Sequence, residues 1–245
     1  MPALTFPPLG STQPAGTATS MSNPTTARSN RLTARRIAVA LLILTIGQLA
    51  VATFVPGLSQ FEGKGFGARL LLYPAMMLLV PASWLIHDRR RPSVSRASAP
   101  WAAFAWIMLP FLIDVTGNTL NLYDSITWWD DVNHLVNWLF LSLGVGLLVR
   151  GSGSGSGSGS GIRPGWALGL LIAGLGAMLA IGWEVGEYYA FIRGGTELQT
   201  AYTDTLGDEV LGTLGATLAA LILCLPRHQR GAVQPENCCS DPKNR

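Results

Sequence analysis

Long, unbroken apolar runs constrain this chain more than any other feature of its sequence. Six runs are nearly free of charged residues, and each is about long enough to cross the hydrocarbon core of a bilayer, which takes roughly 20 helical residues. They do not alternate apolar and polar residues as barrel strands do, so they predict helices, which satisfy every backbone hydrogen bond internally. The predicted spans are residues 37–55, 70–86, 101–115, 132–149, 166–189 and 205–225.

Composition favours the same class of protein. Only 13% of the 245 residues are charged, whereas a soluble domain usually has about a quarter. The net charge of +3 does not indicate nucleic acid as a partner, because the basic residues flank the apolar runs and are not interleaved with aromatics. There they can meet membrane lipids. We therefore predict an all-α, polytopic membrane helix bundle with about six transmembrane helices.

The remaining segments suggest a simple domain organisation. Residues 1–34 are rich in Pro, Thr and Ser and predict a disordered cytoplasmic tail, within which either Met1 or Met21 is the start. Residues 35–226 form the predicted bundle. The Gly-Ser repeat at 151–161 reads as a cytoplasmic linker inside that bundle, and residues 227–245 as a cytoplasmic C-terminal tail.

Charged residues are divided unequally between the two sides of the membrane. With the N-terminus inside, fourteen of the seventeen Lys and Arg residues fall on the cytoplasmic side, and only Lys64, Arg69 and Arg193 fall outside. This bias predicts that both termini are cytoplasmic and that the protein lies in the cell membrane, inner or plasma. Eleven of the fourteen acids fall on the opposite, outer side. Since acids contribute little to topology, orientation does not explain their concentration there.

Three of the predicted helices carry a polar pair on one face at their outer ends. Members of a pair are three or four residues apart, the spacing that places them on the same side of a helix. At a rise of 1.5 Å per residue, the three pairs reach a common level just beneath the outer interface. The pairs are Asp130 with His134, Glu184 with Glu187, and Asp204 with Asp208. Asp114, Asn118 and Asn121 add a fourth strip if the third span continues.

Small residues predict that the last two spans pack closely enough for these pairs to meet. Gly182 and Gly186 bracket Glu184 at the spacing that lets membrane helices approach backbone to backbone. On the last span the same spacing recurs twice, in Gly212 with Ala216 and in Gly215 with Ala219.

Helix capping is the alternative explanation for some of the acids. Asp130, Asp131 and Asp204 lie where an N-terminal cap would lie, and the helix dipole favours a negative charge there. Glu184 lies near the C-terminal end of its helix, where the dipole disfavours anions by about 0.3–1 kcal/mol. His134 lies too deep to be a cap. Capping therefore does not account for the whole cluster.

So many carboxylates in a partly dehydrated volume need protons or a cation beside them. Carboxylate oxygens and one imidazole suit a divalent ion such as Mg²⁺, Mn²⁺, Ca²⁺ or Zn²⁺. We expect His134 and Glu187 to act as catalytic groups. His134 would be a metal ligand or a general base, and Glu187 would be a second ligand or a proton shuttle. The predicted metal ligands are Asp130, Asp131, His134, Glu184, Asp204 and Asp208.

The same residues carry a family resemblance. They lie in three blocks, which are DDVNH at 130–134, WEVGE at 183–187 and DTLGD at 204–208. In this order the blocks resemble those of a family of uncharacterised bacterial inner-membrane proteins, the YjdF-like (DUF2238) group. The resemblance extends over residues 123–225. The resemblance implies a helical membrane protein and points to the same acids. It implies no particular activity.

Three functions fit these residues. The first is a metal-dependent enzyme, a hydrolase or transferase, that acts on a small molecule, a lipid or a lipid-linked headgroup at the outer leaflet. The second is an ion-binding or transport protein, although transporters usually bind near the midplane, where these spans have few polar residues. The third is a structural membrane protein whose polar cluster only joins its helices.

Overall fold

Helices make up almost all of the structure, a computed structural model that describes residues 24–93, 98–151, 165–189, 193 and 201–225. No strand occurs in these ranges. One short 3-10 helix spans Ser59–Phe61. The α-helices are α1 (Pro24–Phe54), α2 (Phe66–Arg89), α3 (Trp101–Thr119), α4 (Leu122–Ser125), α5 (Trp129–Gly151), α6 (Trp166–Glu187) and α7 (Ala201–Cys224).

Every helix except α4 is long and apolar enough to cross a bilayer. This confirms the predicted all-α bundle with six spans. Large apolar side chains such as Ile43, Leu71 and Leu79 lie exposed on its outer faces, as expected where lipid is the solvent. The orientation of the bundle and the membrane in which it lies stay predictions. Helices α1, α3 and α6 end on one side of the bundle, and α2, α5 and α7 begin on that same side. We call this side the acidic end.

Helix α1 begins at Pro24, within the segment 1–34 that the sequence predicts to be a disordered tail. Proline suits the first turn of a helix, because the N–H that it lacks would have no intrahelical acceptor there. No glycine or further proline follows before Gly47, and arginines such as Arg28 and Arg31 are good helix formers, so the helix extends beyond the apolar run. The predictions for residues 1–23, for the linker beyond Gly151 and for residues 227–245 lie outside the described residues.

Small residues of α7 allow close packing against both α5 and α6. A Cβ added at Gly215 would overlap the backbone carbonyl oxygen of Leu135 on α5. A Cβ added at Gly212 would lie 2.8 Å from Cδ1 of Trp138 and 3.0 Å from Cβ of Ala180. The predicted small-residue face of α7 is therefore an interface at which backbones nearly touch.

The role predicted for Gly182 and Gly186 is wrong. Both glycines are exposed, and among the described residues an added Cβ would meet nothing within 4 Å beyond its own helix. At 100° per residue, each lies about 200° around the helix from Glu184 and so faces away when Glu184 faces inward. The close contacts of α6 with α7 come instead from Gly176 and Ala180.

Helix α5 joins the two halves of the bundle, because it packs against α3 as well as against α6 and α7. Helix α1 packs against α2 and α3. Near the acidic end, Leu49, Tyr73 and Val115 form a buried apolar cluster, and Trp183 of α6 packs against it. The last turn of α6 is thus fixed relative to α1, α2 and α3.

We expect Gly215→Ala to destabilise the protein, because its new methyl group would meet a backbone oxygen that cannot move without shifting α5. Overpacking of this kind typically costs about 1–3 kcal/mol. Gly182→Ala is the matched control, and its free energy of unfolding should change little. Thermal unfolding in detergent micelles measures both. Equal destabilisation by the two variants would contradict the described α5–α7 interface.

Candidate functional site

A cavity of about 600 Å³ lies at the acidic end, between α2, α3, α5, α6 and α7. Its apolar part is formed by Pro110, Phe111 and Leu141, which lie farther from the acidic end of their helices than the polar lining does. The titratable lining on α5, α6 and α7 comprises Asp130, His134, Glu184, Glu187, Asp204 and Asp208. Most of the polar pairs predicted from the sequence therefore face one volume.

His134 stands at the centre of this lining, with carboxylates on both sides of its ring. Its Nδ1 atom lies 2.6 Å from Oδ1 of Asp208 and 3.7 Å from Oδ1 of Asp130. Its Nε2 atom lies 3.6 Å from Oε1 of Glu184. Glu187 offers a further carboxylate oxygen within 4.8 Å of ligand atoms of His134 and Glu184. One imidazole thus faces acids from three helices.

Burial makes these contacts electrostatically important. Glu184 and Asp208 are each only 5% exposed, and His134 is 9% exposed. Although Nδ1 of His134 is within hydrogen-bond distance of Asp208, the ring N–H direction is not aligned with that oxygen, and Nδ1 is a buried atom without a hydrogen bond of good geometry. Such atoms are rare in proteins, and each needs an explanation, such as local strain, a catalytic role or contact with an ion or water.

Helix geometry explains why these side chains meet. Asp130 and His134 occupy the first two turns of α5, and Asp208 lies in the second turn of α7. Glu184 lies in the last turn of α6, which runs in the opposite direction. The contacts at Gly212 and Gly215 hold α7 against α5 one turn deeper, so the three polar positions come to a common level.

Two of the predicted metal ligands stand apart from this centre. Asp131 is exposed and does not line the cavity, because it is one residue, about 100°, around α5 from Asp130. Asp204 does line the cavity, but it is exposed, one turn before Asp208 on α7. Asn121, in the fourth predicted strip, follows the end of α3 in a left-handed conformation and is not part of the lining.

A second polar network, which the sequence analysis missed, forms the opposite wall. Nη1 of Arg69 donates to Oδ2 of Asp114 at 2.9 Å, and the Tyr73 hydroxyl donates to the same oxygen at 2.7 Å. The Tyr123 hydroxyl donates to Oδ1 of Asp114 at 2.7 Å. Three donors from α2 and α4 thus converge on one carboxylate of α3. The spacing of Arg69 and Tyr73, four residues apart on a membrane helix, is the signal that could have revealed it.

This network reaches the His134 cluster through Tyr123. Burial raises the pKa of the Tyr123 hydroxyl far above its usual range, and the Asp114 carboxylate raises it further, so the hydroxyl keeps its proton and donates it. The same hydroxyl accepts a hydrogen bond from Nδ2 of Asn133, the residue before His134. Asn133 in turn accepts one from Asn137 at 2.9 Å. The first turns of α5 are therefore tied to α2, α3 and α4.

Two overlapping groups have the composition and spacing to hold a cation. One comprises Asp130, His134 and Asp208, and the other comprises His134, Glu184 and Glu187. Within each group the candidate ligand atoms lie within 4.8 Å of one another. Their oxygens and imidazole nitrogen are the ligand types that Mg²⁺, Mn²⁺, Ca²⁺ and Zn²⁺ accept.

We expect Asp114→Asn to lower the free energy of unfolding by about 3–5 kcal/mol, because it leaves the Arg69 charge without its carboxylate in a buried site. The matched control is Asp124→Asn, which removes the partner of Lys64 in a pair whose Asp124 side chain is 49% exposed. An exposed pair contributes about 0–1 kcal/mol. Thermal unfolding of both variants in detergent tests the difference, and similar small losses would show that the Arg69 network does not stabilise the bundle.

Comparison with known proteins identifies the family to which the chain belongs. Neither the curated proteins nor the solved structures compared with the chain gave a match. A family model described as "Predicted membrane protein (DUF2238)" matches residues 37–229, a range that contains the whole cavity lining. The match covers most of the chain and confirms the family that the three sequence blocks predict. The chain belongs to the DUF2238 family of predicted membrane proteins.

Proposed function

We propose that the cavity at the acidic end is a divalent-cation site, and that it serves a metal-dependent hydrolase or transferase acting on lipid or lipid-linked headgroups. The observation that carries the proposal is the position of His134, a buried imidazole between carboxylates of α5, α6 and α7. The ligand set supports Mg²⁺, Mn²⁺, Ca²⁺ or Zn²⁺ as the cation.

Charge is the physical reason for a cation. On the opposite wall, Arg69 is paired with Asp114, and at the rim Lys64 is paired with Asp124. Each base therefore already has an acid of its own, and of the carboxylates around His134 the charge of Arg69 acts on Glu187 as well. Unpaired carboxylates in a buried site cost several kcal/mol each unless protons or a cation neutralise them. A divalent ion offsets two of them at once.

The position of the cavity at the ends of the membrane-spanning helices supports a lipid headgroup as the substrate. The cavity is polar at the ends of the helices and apolar deeper in the bundle, at Pro110, Phe111 and Leu141. This gradient matches an amphiphile whose polar group lies at the membrane surface and whose apolar part points inward. With the predicted orientation, that surface is the outer leaflet.

The chain's own residues supply acid–base groups for such a reaction. His134 is suited either to ligate the ion or, if it is not a ligand, to deprotonate an attacking hydroxyl or water. Glu187, half-buried beside it, is suited to pass a proton between the cavity and the outside, a role that is compatible with His134 as a ligand. A bound divalent ion would supply polarisation of a phosphoryl or carbonyl oxygen and a lowered pKa for bound water. The apolar part of the cavity would hold the rest of the substrate and exclude water.

Transport is less well supported by the distribution of polar groups. In the described residues, buried polar side chains away from the acidic end are few, chiefly Thr45 and Ser142. A cation would find no continuous series of ligands across the bundle through these two hydroxyls. A purely structural role would use the contact between His134 and Asp208 to join α5 to α7, and metal binding distinguishes it from the proposed function.

We expect purified protein to bind about one equivalent of Mn²⁺ or Zn²⁺, and His134→Ala to lose it. Asp130→Asn should weaken binding at least about tenfold, because it removes a carboxylate beside the imidazole. Asp131→Asn, a neighbour that points away from the cavity, is the control and should bind as the unaltered protein does. Calorimetry in detergent and elemental analysis measure both properties. No binding by the unaltered chain, or equal effects at positions 130 and 131, would contradict the proposal.

The enzyme and the transporter are distinguished by two measurements on the same purified protein, which are substrate turnover and cation flux. We expect turnover of a lipid or lipid-linked phosphoester in detergent that requires the divalent ion and is lost in Glu187→Gln, together with no cation flux in proteoliposomes. Flux measured with an entrapped metal-sensitive dye, in the absence of turnover, would favour the transport function instead.

A further inference from the structure

The two sides of the His134 ring are not equivalent, and we propose a division of roles between them. The cation binds on the Nδ1 side, between Asp130 and Asp208, and Glu184 is a positioning residue that accepts the Nε2–H. This inference rests on the proposed cation site and specifies its ligands.

Imidazole chemistry requires such a division. A neutral ring has one nitrogen with a lone pair and one nitrogen that carries a proton. It can therefore ligate a cation on one side only, and the other side must donate a hydrogen bond. In metal sites the donating nitrogen almost always faces a carboxylate, a carbonyl or water, which fixes the tautomer and the ring orientation. The acids on the two sides of His134 then have different tasks.

The Nδ1 side has the features of the ligating side. Nδ1 is buried in a residue that is only 9% exposed, and it lacks an aligned hydrogen bond. It nevertheless lies 2.6 Å from Asp208 and 3.7 Å from Asp130. An N–H and a lone pair on Nδ1 point in the same direction, so the alignment does not distinguish them. Without an ion, a proton on Nδ1 fits the 2.6 Å contact with Asp208 but leaves Asp130, at 3.7 Å, without a donor from the ring. A cation that displaces this proton leaves Nδ1 with a lone pair. A cation satisfies the lone pair and both acids together.

The Nε2 side has the features of the donating side. Oε1 of Glu184 lies 3.6 Å from Nε2, so the two atoms must come about 0.4 Å closer to form a hydrogen bond. Glu184 is 5% exposed, so its carboxylate gains from a fixed donor. Ionised Glu184 accepting the Nε2–H would raise the basicity of Nδ1 toward the cation.

Access from the membrane surface agrees with this assignment. The Asp130 side chain is 42% exposed, whereas the Glu184 side chain is 6% exposed. A hydrated ion that arrives from the acidic end meets Asp130 first and can exchange its waters for ligands there. Glu187, which belongs to the other candidate group with His134 and Glu184, is then not needed as a ligand and remains available for proton transfer.

The test is nitrogen NMR of the full-length protein, labelled with ¹⁵N-histidine, in detergent with and without Zn²⁺. The signals of His134 are assigned by comparison with His134→Ala. We expect Zn²⁺ to give Nδ1 the shift of a coordinated nitrogen and Nε2 the shift of a protonated one. Coordination at Nε2, or at both nitrogens, would overturn the assignment. This readout needs no variant to fold except the one used for assignment.

A pair of isosteric variants gives a second readout. Glu184→Gln keeps an oxygen that can accept the Nε2–H, so Zn²⁺ affinity should fall by no more than about 10- to 100-fold, the usual effect of losing a partner that orients a ligand. Asp208→Asn replaces a ligand and should cost more than this. A larger loss in Glu184→Gln than in Asp208→Asn would overturn the inference while leaving the cation site intact. No Zn²⁺ binding by the unaltered chain would overturn both proposals.

Discussion

Burial of acidic side chains next to a single imidazole is the constraint on which the rest of the structure depends. Glu184 and Asp208 lie almost entirely out of solvent, on different helices, with His134 between them. Helices that carry such groups cannot come together in a membrane unless the charges are offset. The bundle brings them together nevertheless, and it assigns its nearby bases, Arg69 and Lys64, to other acids. The cluster therefore forms the polar end of the cavity and is the reason why we propose a cation there.

The surrounding bundle holds this cluster by two kinds of contact. Below it, close contacts at Gly212 and Gly215 fix α7 against α5 and α6, so that Asp208 and His134 are held at one level. Beside it, the hydrogen bonds centred on Asp114 link α2, α3 and α4 and reach α5 through Tyr123. Preorganisation of this kind is what a functional site needs, because its groups must be held within a fraction of an ångström. The Asp114 network is thus part of the support of the site, although it holds no predicted ligand.

Sequence reasoning reached the spans and much of the cluster, because both follow from periodicity. A spacing of three or four residues shows that two side chains share a helix face, which was enough to single out Glu184 and Asp208. The spacing does not show which face of a helix meets a neighbouring helix. For this reason the sequence places Gly182 and Gly186 at the interface between α6 and α7, which they do not reach. Partners from separate helices, such as Arg69 and Asp114, have no spacing in the sequence to reveal them. The sequence does not predict that α1 begins as early as Pro24, because hydropathy shows which residues lie in the membrane and not where the helix itself begins.

Anomalous diffraction from crystals grown with Mn²⁺ tests the central claim most directly, because it locates the cation without relying on activity. We predict one strong anomalous peak in the cavity, at coordinating distance from the His134 ring and from a carboxylate of α7. A cavity in which the same side chains surround only water, with no anomalous peak at saturating Mn²⁺, would contradict the account.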